Sequence, residues 1–308
     1  MADSNSESQS HAPAPDYTAV IATCERPQEL EQTLESLAIQ SHRPKRVIIV
    51  DASPDQKTEA VVERYREKLQ VTYEKARQCS AARQRNQGAE KVETPLVAFI
   101  DDDVRIPANS LEEICRVFGK DSENRIGGVA ARIVGMQHST PRGLLRLYYR
   151  LQAGFSHPTY GGKLFGPGIN CLPTYTESSD TLIPADWLNS TCVFYRTELF
   201  QREKFPEFEG YSFLEDVHLS SRIGWTHQLF FHSSAMFEHL DAPSRFKRDV
   251  RGLARMRVHH QRQVARDILG LGGLELSWKL ALHRLFATVS ILRGRSGAWR
   301  EELIGTWT

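Results

Sequence analysis

Cysteine is scarce in this 308-residue chain, and the five present (Cys24, Cys79, Cys115, Cys171 and Cys192) stand far apart. No CxxC pair occurs, which argues against a zinc knuckle or a disulfide framework and favours a reducing, cytoplasmic compartment. Neither charge sign is in excess. With 39 Lys and Arg against 38 Asp and Glu, the formal net charge is +1, so bulk charge gives no reason to expect nucleic acid as a partner. Long apolar runs are missing too: the segment richest in large apolar residues, WKLALHRLFATVSIL at 278–292, contains Lys279, His283 and Arg284 and does not read as a membrane span. The polar N-terminus, MADSNSESQSHAPAP, lacks the apolar stretch of a secretory signal, and a disordered tail over residues 1–16 is expected. Neither GxGxxG nor GxxxxGK(S/T) occurs. A dinucleotide fold and a P-loop nucleotidase therefore lose ground.

What is present is an alternation of aliphatic strands and amphipathic helices. TAVIAT (18–23), RVIIV (46–50), VTYE (71–74) and LVAFI (96–100) read as strands. Pro27 can open a helix in which Leu30, Thr33, Leu34 and Leu37 share one face, and Val61, Val62, Tyr65 and Leu69 mark another. A polar helix is expected over 80–91, where Gly88 eases packing. The fold class is therefore α/β, with a mostly parallel central sheet flanked by helices. Residues 17–103 form one half and 104–240 a second, looser one. GLLRLYYRL reads there as a short helix, and the glycine-rich 154–180 as a long loop or small subdomain. In such sheets ligands bind where strands end, and TCERP, DAS and DDD meet on that edge.

Three adjacent carboxylates, Asp101, Asp102 and Asp103, terminate the LVAFI strand. Alternation along extended backbone lets Asp101 and Asp103 face one way while Asp102 faces the other. Two converging carboxylates suit Mn2+ or Mg2+ bridging to a phosphate-bearing substrate. Arg83 and Arg85 are placed to meet diphosphate oxygens or the carboxylates themselves, whereas Arg77 reads as a surface charge. Asp51 either accepts from a ribose or base, or caps the turn DASPD. Glu215 and Asp216 precede a helix-like segment; they either cap it or supply a base for a sugar hydroxyl. His239 is a candidate nitrogen ligand or a satisfied histidine at a strand end. His232 is a weaker candidate, and His259 and His260 are expected to face solvent.

Taken in order, TCERP, VIIVDAS, ARQRNQG, LVAFIDDDV, STCVFYR and FLEDVHLSSRIGW resemble the family 2 glycosyltransferases over about residues 18–240. That resemblance implies a GT-A fold, an inverting mechanism, and a UDP-, GDP- or dTDP-sugar donor. It also implies a glycan or lipid-linked acceptor in bacterial surface polysaccharide synthesis. It assigns Thr23, Glu25, Arg26 and Asp51 to the nucleotide, Arg83 and Arg85 to the diphosphate, and Asp102 to the donor sugar or ribose. Asp101, Asp103 and His239 become metal ligands, with Asp103 the principal one. Asp216 becomes the base and Glu215 orients the acceptor. Trp187 either stacks on the acceptor sugar or is a core tryptophan. Where family members carry a second Asp two residues after the acid pair, this chain has His218. A degenerate scaffold that binds glycan or protein is the non-enzymatic alternative, and a nucleotidyltransferase or phosphohydrolase the enzymatic one.

The C-terminal part, 241–308, is expected to be a helical extension. Residues 245–266 hold eight Lys or Arg against one acid, with Arg248, Arg251, Arg255, Arg262 and Arg266 mostly at helical spacing. With the apolar 278–292 they suggest peripheral contact with an anionic membrane surface on its inner face. Packing on the chain's own core and a helical oligomer interface are the competing readings.

Overall fold

The computed structural model describes residues 13–176, 180–211, 213–240, 248–294 and 297–308. Most of the expected tail, 1–12, and the start of the basic segment, 241–247, lie outside the described residues. The chain runs β1 (Tyr17–Thr23), α1 (Pro27–Ala38), β2 (Arg46–Asp51), α2 (Lys57–Glu63), β3 (Val71–Lys75), α3 (Ala81–Ala89), β4 (Leu96–Ile100), β5 (Val104–Arg105) and α4 (Ser110–Lys120). It continues through β6 (Ile126–Ile133), α5 (Gly143–Ala153), β7 (Leu164–Phe165), β8 (Ile169–Asn170), β9 (Leu182–Pro184), β10 (Cys192–Arg196), α6 (Thr197–Glu203) and α7 (Glu215–Gly224). The last elements are β11 (Gln228–His239), α8 (Val250–Asp267), α9 (Gly273–Gly294) and α10 (Trp299–Trp307).

The main sheet has the order β3-β2-β1-β4-β10-β6-β11-β5, with β9 also paired to β11. Strands β3, β2, β1, β4, β6 and β11 share one direction, and β10 lies antiparallel between β4 and β6. Near-continuous aliphatic strands suit burial on both faces, and β1 shows how: Ala19 and Ile21 enter one apolar layer and Val20 the other. Helices α1, α2 and α4 cover the first layer through Leu34, Val62 and Ile114. Helices α3, α6 and α7 cover the second through Ala82, Phe200 and Leu219. Each fully buried large aliphatic side chain contributes about 1.5–3 kcal/mol, so these two layers dominate the fold's stability.

The glycine-rich stretch after α5 is a small subdomain rather than a plain loop. Gly166 (φ 55°) and Gly168 (φ 75°) turn the β7–β8 hairpin, which a β-carbon would strain at those angles. Tyr160, Phe165 and Cys171 pack there against Tyr149 of α5. Helix α8 also joins the body of the protein: its Val264 packs with Trp187, Val217 and Leu164. Helix α10 crosses α8 at Gly305, where a β-carbon would lie 2.2 Å from the Arg251 carbonyl oxygen.

Gly88 on α3 is the closest helix approach to the sheet that the sequence pointed to. A β-carbon there would meet Val20 Cγ1 at 2.6 Å and Val50 Cγ2 at 3.1 Å. Gly88→Ala is expected to destabilise the protein by about 1–3 kcal/mol through overpacking, despite alanine's better helix propensity. Urea denaturation checks this, and an unchanged or raised midpoint would show that the β1–β2 surface yields freely.

Candidate active site

Strands β1, β4 and β11 end together at one edge of the sheet. Beyond β4 the backbone of Asp101–Asp103 is held by Thr33 of α1, a fully buried residue. Its hydroxyl oxygen accepts from Val104 N at 3.1 Å and lies 2.9 Å from the Asp102 carbonyl oxygen. Strand β5 then pairs antiparallel with the end of β11, setting His239 opposite Val104 and bonding Leu240 N to the Asp103 carbonyl at 2.9 Å. The two-residue strand is thus what carries a histidine from the far end of the chain to the acidic turn.

Asp101, Asp103 and His239 offer ligand atoms that all lie within 4.8 Å of one another, with His239 Nε2 3.3 Å from Asp103 Oδ1. Two carboxylate oxygens and an imidazole nitrogen fit Mn2+ or Mg2+, which need only a few protein ligands beside water and phosphate. Asp102 sits in the turn between β4 and β5 rather than in extended strand, so alternation does not set its direction. It accepts from Thr23 Oγ1 at 2.6 Å and from Arg26 Nη1 at 3.0 Å, and the same Arg26 nitrogen lies 3.0 Å from Asp103 Oδ2. Burial pushes the Asp102 carboxyl up to about 7, against the opposing pull of Arg26 and Thr23.

The acid pair approaches from the other side of the cleft. Glu215 and Asp216 open α7 directly after Leu214, whose φ of 63° is a conformation that costs a branched residue about 1–3 kcal/mol and tends to be kept at functional sites. Buried Arg85 of α3 spans the gap: Nη2 lies 2.6 Å from Asp101 Oδ1 and Nη1 3.5 Å from Glu215 Oε1. Burial pushes both carboxyls of the pair above the ordinary range. Asp216 adds to the shift of Glu215, and Arg85 opposes both. Between the two acidic groups lies a cavity of about 1080 Å³, bounded by Thr23, Arg83, Asp103, Tyr211, Glu215 and Arg248 among others.

Residues 18–169 match the family model described as glycosyl transferase family 2. That segment, just under half of the chain, is what is similar to glycosyl transferase family 2. The family 2 segment stops short of β10, α7 and β11, where the fold itself carries the likeness. The chain superposes on S. aureus TarS with TM-score 0.52 and 18% identity, covering 89% of this chain and 43% of TarS. The mannosyltransferase PcManGT from Pyrobaculum calidifontis, solved with GDP-Man and Mn2+, gives 0.52 and 16%, covering 96% and 88% of the two chains. GalNAc-T7, solved with UDP, GalNAc and Mn2+, gives 0.56 and 12%, covering 87% and 56%. At these identities the likeness shows a shared fold, the α/β architecture of these glycosyltransferases. The chain spans less than half of TarS. No curated protein matches it in sequence.

Of the residues singled out from the sequence, Thr23, Glu25, Arg26, Arg83, Arg85, Asp101, Asp102, Asp103, Glu215 and His239 all line the one cavity. Three do not. Trp187 is 3% exposed, donates from Nε1 to the Cys171 carbonyl at 3.2 Å and stands edge-on to Phe231. It is therefore a core tryptophan, and the alternative of stacking on a sugar is set aside. Asp51 is fully buried: Oδ1 accepts from Ser53 N at 2.8 Å and Oδ2 from Tyr73 at 2.8 Å, so the turn-capping reading describes it. Asp216 is half-buried beside the cavity, and its Oδ1 accepts from Val217 N at 2.8 Å. One expectation outside the cleft also changes: His260 is buried against Phe208 rather than facing solvent, whereas His259 is exposed as expected.

Other residues complete the cavity wall, among them Arg248 from the basic segment, for which an internal role beside diphosphate was one competing reading. Met256 and Arg248 reach it from the C-terminal region, and Tyr211 from the loop before α7. Cys24 and Cys79, which are 55 positions apart in the chain, place their sulfurs 3.8 Å apart at its rim.

Arg85→Met leaves Asp101 and Glu215 facing each other without their shared cation. A loss of about 3–5 kcal/mol is expected from uncompensated buried charge, read by urea denaturation at neutral pH. Glu215→Gln combined with Arg85→Met should recover part of that loss; no recovery would mean that the two side chains are not energetically coupled.

Proposed function

We propose that the protein is a metal-dependent inverting glycosyltransferase, its catalytic domain spanning 17–240. In this reading it transfers a hexosyl unit from a nucleoside diphosphate to a hydroxyl of a glycan or lipid-linked acceptor in surface polysaccharide synthesis. The observation that carries this reading is the convergence of the Asp101–Asp103–His239 cluster and the Glu215–Asp216 pair on one cavity, joined by Arg85. The Mn2+ and nucleotide or nucleotide sugar bound by PcManGT and GalNAc-T7 support the same donor class here. A divalent cation held by Asp101, Asp103 and His239 would offset charge gathering on the departing diphosphate.

The chain's own residues do the rest. Arg26 and Arg83 line the donor side of the cavity, where guanidinium groups suit diphosphate oxygens. Arg85 fixes the acid pair relative to the acidic turn. A carboxylate of the pair takes the proton of the acceptor hydroxyl, whose oxygen bonds to the anomeric carbon as the bond to the diphosphate oxygen breaks on the opposite face. One such displacement inverts the anomeric configuration. Family resemblance assigns the proton to Asp216; a place in the cavity lining favours Glu215. The lipid-linked form of the acceptor places the enzyme at the inner face of an anionic membrane, as a peripheral protein. Among the described residues no helix is long and apolar enough to cross one.

Two experiments test this. Thermal shift with UDP-, GDP- and dTDP-sugars is expected to show Mn2+-dependent stabilisation by one nucleotide class, lost in Asp103→Ala and weakened in His239→Ala. No stabilisation by any donor would favour a degenerate scaffold. For the base, Asp216→Asn is expected to lower transfer at least about 100-fold while retaining donor binding, and Glu215→Gln to lower it less; the reverse order would move the base to Glu215. Because burial raises both carboxyls, transfer should be lost as pH falls through a range above the ordinary carboxylate value of about 4. Stability runs the other way. The folded pair holds its protons more tightly than the unfolded chain, so its contribution to stability falls as pH rises through that same range.

A further inference from the structure

Helices α5 and α9 pack against each other and run in opposite directions. Tyr148 stacks on Phe286 at 4.1 Å and bonds His283 Nδ1 at 2.7 Å, while Gln152, one turn later on α5, donates to the carbonyl of Lys279, about two turns earlier on α9. Each helix carries a second apolar stripe that nothing in the described chain covers. On α5 it is Leu144, Leu147 and Leu151, with Leu147 52% exposed; on α9 it is Trp278, Leu285 and Val289, with Leu285 56% exposed. At about 100° per residue each stripe lies roughly a quarter to a third of a turn from its own contact face. For antiparallel partners, offsets of the same sign put both stripes on the same side of the pair. Together they form one apolar face two helices wide.

Charge around that face is mostly basic, the exception being Glu275 in the first turn of α9, which pairs with Lys279 at 3.1 Å. From residue 124 to 176 the chain has six Lys or Arg and no Asp or Glu, and from 276 to 294 it has three and none. Arg142, Arg146 and Arg150 are exposed on and just before α5. Beside the apolar stripe, Ser277, Ala281 and Arg284 of α9 line a cavity of about 400 Å³ whose other walls include Arg255 and Arg262 of α8. No acidic side chain lines it, and the buried Nε of Arg284 has no hydrogen-bond partner among the described residues.

We infer that the α5–α9 face is the surface by which this protein docks on an anionic bilayer, with the arginine cavity beside it receiving lipid phosphate. Exposed leucines, an exposed tryptophan and a flank in which arginines outnumber acids are the features of a surface that enters the headgroup layer without spanning it. A soluble acidic protein would meet the arginines but gain little from the leucines. A second copy would meet the leucines but bring like charge against like. This surface deepens the membrane part of the functional reading and rests on it. It centres the contact on α5 and α9, with Arg255 and Arg262 of α8 serving the phosphate cavity beside them.

The test uses the full chain and vesicles of phosphatidylcholine with about one-third phosphatidylglycerol, against phosphatidylcholine alone. Co-sedimentation is expected with the anionic vesicles only, and Leu147→Glu with Leu285→Glu should weaken it at least about tenfold at an unchanged melting temperature. Arg255→Ala with Arg262→Ala should weaken it about fivefold per arginine. Three outcomes would overturn the inference: no wild-type binding to anionic vesicles, binding that survives the double glutamate variant, or a dimer in light scattering that this variant dissociates. Donor-induced thermal stabilisation is measured on the same proteins. Vesicle failure with donor binding intact removes the docking face alone, and the converse removes the transferase reading alone.

Discussion

Arg85 is the group on which the cleft depends. It is a buried cation held between Asp101, at the end of a central strand, and Glu215, at the start of α7. Without it, two carboxyl-bearing segments from opposite halves of the chain would meet in a low-dielectric space, and each would drive the other's charge out. With it, the Asp101 carboxylate has a cationic partner beside an acid pair whose protons are held more tightly. That division of roles among neighbouring carboxylates is what acid–base chemistry at a phosphate-bearing centre requires.

Arg26 repeats the same logic one layer away. A single guanidinium nitrogen serves Asp102 and Asp103 together, so the three carboxylates of the turn are distributed over two arginines and a histidine rather than over one partner each. The scaffold beneath is equally economical: Thr33 ties the turn to α1, and Gln84 of α3 donates to the carbonyls of Thr23 and Val50, clamping the ends of β1 and β2. Fixed strand ends are what allow side chains separated by more than a hundred residues to meet at hydrogen-bond distances.

Much of this was legible in the sequence because local pattern determined it. Strands β1, β2 and β4 are aliphatic runs that a two-sided sheet buries, and the face of α1 is written in the spacing of Leu30, Thr33, Leu34 and Leu37. The acidic turn was legible because charge directly after a buried strand needs a reason. Trp187 and Asp51 were not decidable in that way. Whether an indole lines a cleft or fills a core depends on Val217 and Val264, which come from α7 and α8, and the occupancy of Asp51 depends on Tyr73 of a neighbouring strand. Non-local contacts also explain Cys24 beside Cys79 and Met256 in the cavity wall. No spacing rule joins residues whose proximity is created by sheet order.

The C-terminal helices show how the two surfaces of the molecule are linked. Met256 of α8 presses on Gly210, whose φ of 75° and lack of a β-carbon let the 208–211 segment curve over the cavity. Two turns further along, α8 contributes Arg262 to the phosphate-sized cavity beside the apolar face of α9. One helix therefore forms a wall of the candidate active site and a wall of the surface assigned to lipid.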